Sequence, residues 1–142
     1  MKRRKTMSIF KKNKKDVEVK EQKLSEKDLK WNKMWDLWAK GEIASPHADL
    51  MTYQSEVNNG GHAQFFDNVS STGHLRSVMA ELQRILPNDV RIVLSEAYDA
   101  YRVNGPDADE NEAFYEHADE VFYEKEHQID KILEKFSEGI EL

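Results

Sequence analysis

The chain has 142 residues and no cysteine, which fits one domain with its own core and excludes disulfides, thiolate metal sites and thiol nucleophiles. Charged residues make up 34% and the mean hydropathy is -0.81; no run approaches the roughly 20 apolar residues that span a bilayer. The net charge of -6 hides two unlike parts. Residues 1–30 carry twelve Lys/Arg against five Asp/Glu, and residues 31–142 carry nine against twenty-two.

The opening run MKRRKTMSIFKKNKK has the positive start of a signal peptide but lacks the apolar stretch of about 7–15 residues that must follow, so a cytoplasmic location is expected. Residues 1–23 combine low apolar content with dense like charge. Such a segment cannot offset its ordering entropy by burial, so a disordered basic tail is expected there, with residues 24–142 as a single helical domain. Direct nucleic-acid contact, if any, is expected through this tail.

Ser25-Glu26-Lys27-Asp28 reads as a capping box with Asp in the place of Glu. Leu29, Trp31, Met34, Trp35 and Trp38 then recur at helical spacing as a core stripe, and Gly41 ends that helix. A second helix is expected after Pro46, running to about Asn58 and broken at Asn59-Gly60-Gly61. A short third helix, His62 to Asn68, would be anchored by Phe65 and Phe66.

Leu75, Val78, Met79, Leu82, Ile85 and Leu86 mark a fourth helix closed by Pro87. Val90, Val93, Leu94, Ala97 and Tyr101 mark a fifth, which Asn104-Gly105-Pro106 stops. The last helix should run from about Asp109 to Ser137 with Tyr115, Ala118, Phe122, Ile129, Leu133 and Phe136 inward. No segment alternates with period two. The expectation is an all-α fold, an irregular bundle of about six helices.

Chemistry is sparse. Glu124 and His127 form one E-x-x-H, whereas di-iron bundles need two such motifs and further inward carboxylates. His117, Glu120, Glu124 and His127 share a face opposite Phe122, which suits a solvated surface. Glu56, Asn58, Asn59 and His62 could form an acid/base cluster. The stronger reading is structural: a carboxylate and two amides flanking a double glycine suit the amides left open at a helix end. From Asn104 onward there are thirteen Asp/Glu and three Lys, so a helix here could present charge to a basic surface that otherwise binds DNA.

Glu56-Val57-Asn58-Asn59-Gly60-Gly61, followed by Gln64-Phe65-Phe66 and Asn68, resembles the signature of the bacterial DNA-mimic-protein family, a domain of unknown function. The resemblance extends over about Leu29 to Phe136, with His62 standing where the family has an aromatic or apolar residue. It implies an all-helical fold, no known catalysis, no cofactor, and a namesake activity of blocking a transcription factor by imitating DNA. Glu112, Glu116, Asp119, Glu120, Glu124 and Glu126 would then form an acidic surface for a partner with a basic face, such as a transcription regulator. The signature residues would be structural. Small size and acidity fit an immunity or antitoxin-type protein masking its partner equally well, a homodimer is compatible with either, and a metal-dependent hydrolase is the remaining class.

Overall fold

The structure, a computed structural model, describes residues 24–142. The expected disordered basic tail, 1–23, lies outside the described residues. Five α-helices account for the fold, with no strand among the described residues: α1 (Glu26–Ala39), α2 (His47–Ser71), α3 (Leu75–Ile85), α4 (Asn88–Asn104) and α5 (Glu112–Ser137). Among these residues no helix is long and apolar enough to cross a membrane.

The difference from the six expected helices lies at the double glycine. Gly60 (φ -161°, ψ 21°) and Gly61 (φ 75°, ψ -174°) leave helical geometry, but helix resumes at once on the far side, so the expected second and third helices are the two arms of one kinked element. The last helix also starts later than expected. Asp109–Asn111 form a 3₁₀ turn before α5, and Asn111 is fully buried there. Its amide donates to the Gly105 carbonyl at 2.6 Å and accepts from Asn104 Nδ2 at 3.0 Å, which fastens the end of α4 to the start of α5.

Capping follows the residues. The Ser25 hydroxyl accepts from the Asp28 amide at 3.1 Å while Asp28 reaches back to the Ser25 amide, so both open donors at the start of α1 are engaged. Pro87 sits at the N-cap of α4, where its missing N–H costs nothing.

The core is aromatic at its centre. Tyr53 and Phe65 on α2 and Phe122 on α5 meet edge to face, with centroids 5.1 and 5.5 Å from the tyrosine ring. Phe66 stacks on Tyr101 of α4 and Tyr115 of α5 at 5.2 and 5.4 Å. Leu50, Met51, Val57, Leu82, Leu94, Ile129 and Leu133 fill the space around them. α5 packs against α4, α2 and α1, which makes it the axis of the bundle.

α1 bears out its expected core stripe only in part. Met34 is fully buried and Trp31, Trp35 and Trp38 are half-buried against the core, but Leu29 is exposed. The indoles meet edge to face, 6.3 and 5.3 Å between successive centroids. Trp38 Nε1–H donates to Thr52 Oγ1 at 3.1 Å and ties α1 to α2. Lys30 and Lys33 donate to the carbonyls of Glu138 and Glu141 at 3.1 and 2.6 Å, holding α1 along the end of α5.

Candidate functional site

Three neighbouring features involve the singled-out residues: the helix junction, a groove beside it and a row of carboxylates on α5. The junction accounts for the signature. A Cβ on Gly61 would lie 2.7 Å from Asp119 Oδ2, and the positive φ already disfavours any other residue. A Cβ on Gly60 would overlap the Gln64 side chain, whose Cβ would be 2.8 Å away. Gln64 is held over Gly60 because its amide donates to Glu56 Oε1 at 2.8 Å, and Asn68 donates to the same oxygen at 2.8 Å. Glu56 thus braces the two arms of α2 across the kink.

Asp119 closes the junction from α5. Its Oδ1 accepts from the His62 backbone amide at 2.8 Å, the donor that the kink leaves without a helical partner, and from His62 Nδ1 at 2.7 Å. The other ring nitrogen, Nε2, lies 2.6 Å from the Tyr53 hydroxyl. Burial first, and the Asp119 carboxylate second, hold the Tyr53 phenol well above its ordinary range, so it stays protonated. Its O–H therefore donates to Nε2, and Nδ1–H is left to donate to Asp119, a tautomer assigned from the network. His62 and Tyr53 are both fully buried. The expected helix-end role is carried out with a different partner: the carboxylate on the open amide comes from α5, not from Glu56. Glu56 and His62 engage different partners, and no acid/base pair forms between them.

The groove lies between α1, α2 and α5 and encloses about 920 Å³. Trp31 and Trp35 of α1 line it together with Gln54 and Asn58 of α2 and Glu126 and Asp130 of α5, and the two amides are bonded directly to the two carboxylates. Gln54 Nε2 donates to both Glu126 Oε2 (3.0 Å) and Asp130 Oδ1 (2.8 Å), and Asn58 Nδ2 donates to Glu126 Oε2 at 2.6 Å. The two carboxylates are one helical turn apart on α5. Among the described residues no cation pairs with either, so neutral amides hold two negative charges in place without cancelling them.

The six acidic residues singled out in the sequence are divided between these features. Glu112, Glu116, Glu120 and Glu124 are exposed, at four-residue intervals that put about 6 Å of axial rise between neighbours. None of the four pairs with a cation among the described residues. Asp119 and Glu126 are half-buried and turn toward α2, one in the junction and one in the groove. His117 and His127 are exposed. Among the described residues no three His, Cys, Asp or Glu side chains are grouped as a metal site.

Tyr53, Gln54 and Asp130 were not legible as site residues, because their partners lie 9, 72 and 76 positions away. Only the polar Gln54 amid the apolar positions of α2 hinted at a buried network.

The geometry is that of an all-helical protein with a glycine kink locked from its longest helix. The family model described as DMP19-like protein matches residues 48–141, and the chain belongs to that family. The match begins within α2, so α1 and its tryptophans precede it, although the resemblance was expected from about Leu29. Neither the curated proteins nor the solved structures give a match to this chain.

Proposed function

We propose that this chain is a non-enzymatic interaction protein of the cytoplasm, in which residues 24–142 present the exposed carboxylates of α5 to a partner with a basic surface, such as a DNA-binding regulator. One observation carries the reading. Glu112, Glu116, Glu120 and Glu124 form a regular row about 18 Å long on a single rigid helix, exposed and uncompensated among the described residues. Charge left unneutralised on a soluble surface raises the encounter rate with opposite charge. The row resembles a nucleic-acid strand in carrying repeated charge at fixed intervals.

The test is affinity capture on the whole chain over a salt series, with a fourfold variant, Glu112→Gln, Glu116→Gln, Glu120→Gln and Glu124→Gln, beside it. Screening shortens from about 8 Å at physiological ionic strength to about 3 Å at 1 M salt. A basic partner should therefore be retained at low salt and released at high salt, and its association rate should drop about tenfold or more in the variant. A partner held equally by both proteins and indifferent to salt sinks the proposal. If that partner is a toxin, the immunity or antitoxin reading takes its place.

A further inference from the structure

We propose that the groove between α1, α2 and α5 is a receptor for one arginine side chain of the basic partner, so that the guanidinium lies against the indoles of Trp31 and Trp35 while Glu126 and Asp130 accept its N–H donors. This rests on the reading of the chain as a binder of basic proteins and names the residue type that the binding anchors on.

Four observations converge on the groove. Its volume of about 920 Å³ exceeds what one side chain needs and leaves room for the flanking peptide. Two carboxylates converge in it with no cation beside them among the described residues, each fixed by amide donors and so preset for a charged donor. Trp31 and Trp35 also line the groove, and both indoles are half-buried, packed on the core with part of their surface left uncovered. Gln54 is 5% exposed, yet no donor among the described residues reaches its Oε1, so this groove-lining amide keeps a free acceptor.

A planar guanidinium suits that set better than an ammonium. It stacks on an indole face, presents a fork of donors to carboxylates and is the less strongly hydrated cation. The surrounding protein lowers the effective dielectric, so a partly sheltered charge pair is worth more here than in the open row of α5. The row and the groove would then act in sequence, the row attracting a basic surface and the groove fixing its register.

The experiment uses the whole chain, labelled with ¹⁵N, titrated with acetyl-Gly-Arg-Gly-amide and with the lysine and citrulline counterparts. The side-chain N–H resonances of Trp31 and Trp35 should move with the arginine peptide. That of Trp38, whose Nε1–H is already bound to Thr52 and which does not line the groove, should stay. Asp130→Asn, which keeps an acceptor oxygen and nearly the same volume, should weaken the arginine peptide about tenfold. Glu96→Gln, exposed on α4 and outside both the row and the groove, should leave it unchanged. Citrulline binding as tightly as arginine, unmoved indoles, or an unaffected Asp130→Asn variant would each overturn the arginine receptor. Those results leave the row's salt-dependent partner standing, whereas loss of that partner together with intact arginine binding removes the row and keeps the groove. If the indoles of the whole chain move only once salt has been raised, its own lysine-rich residues 2–15 already compete for the groove, and the assignment to a partner fails.

Discussion

Gly61→Ala is the sharpest test of the junction. Gly61 holds φ 75° and ψ -174°, a region essentially reserved for glycine, and a side chain forced there costs about 1–3 kcal/mol. The added methyl would also lie only 2.7 Å from Asp119 Oδ2, so the carboxylate has to shift. If Asp119 moves away, the buried His62 amide and Nδ1 lose their acceptor, a further cost of about 1–3 kcal/mol. A loss of roughly 2–6 kcal/mol is substantial against the roughly 5–15 kcal/mol of a typical domain. Urea unfolding followed by tryptophan fluorescence measures it, and Gly73→Ala supplies the control: φ is 81° there, but no neighbouring atom lies within 4 Å of the new methyl. The control should lose only the conformational part, about 1–2 kcal/mol. In an Asp119→Ala background the Gly61→Ala penalty should shrink by roughly 0.5–3 kcal/mol, because the clash and the lost acceptor are already gone. A Gly61→Ala protein no less stable than Gly73→Ala would refute the account of the kink.

Tyr53→Phe removes the donor to His62 Nε2 in a fully buried site and should cost about 1–3 kcal/mol in the same unfolding assay; a change near zero would mean that the hydroxyl contributes nothing. His47 stacks on Phe136 with 4.0 Å between centroids, and burial holds its pKa below the ordinary 6.5. Between the lowered folded value and 6.5 the unfolded chain binds more protons, so stability should fall on acidification through that window, and His47→Phe should lessen the fall. Asp49 is shifted the other way: burial raises its carboxyl above 3.8, the Ser45 hydrogen bond opposes this, and Glu81 adds to it. Its Oδ2 is buried without a partner. The folded state therefore holds the Asp49 proton more tightly, and stability should decline as pH rises from 3.8 through the raised value. Asp49→Asn should remove that decline, which urea midpoints from pH 3.5 to 7 would reveal.

What could be read from the residues was what they decide locally. Ser25 with Asp28, Pro87 and Gly105 punctuate the chain through their own backbone chemistry, so α1, α3 and α4 begin or end where they were expected. The inward positions of α5 followed from spacing alone, since Tyr115, Ala118, Phe122, Ile129 and Leu133 are buried and Phe136, near the helix end, is half-buried. The joining of two expected helices into one kinked helix was not legible, because the kink is completed by Asp119, 57 positions from the amide that it accepts. The half-exposure of Trp31 and Trp35 was hidden for a related reason. A helical apolar stripe shows that something covers the face and leaves open how fully. In the folded chain polar residues of α2 and α5 line a groove together with those two indoles. Asn111 escaped notice because an asparagine before a helix normally reads as an exposed cap, whereas this one is buried between α4 and α5.

The attachment of α5 at its inner edge has a consequence for its outer one. Asp119 at the junction, Glu126 and Asp130 in the groove, and the Lys30 and Lys33 contacts near its far end fasten a helix about 39 Å long along most of its length. The carboxylates facing solvent therefore ride on a backbone with little freedom left to lose. A molecule meeting that edge encounters side chains whose backbone positions are set before contact, so the backbone share of the ordering entropy was spent during folding and only side-chain freedom is left to lose.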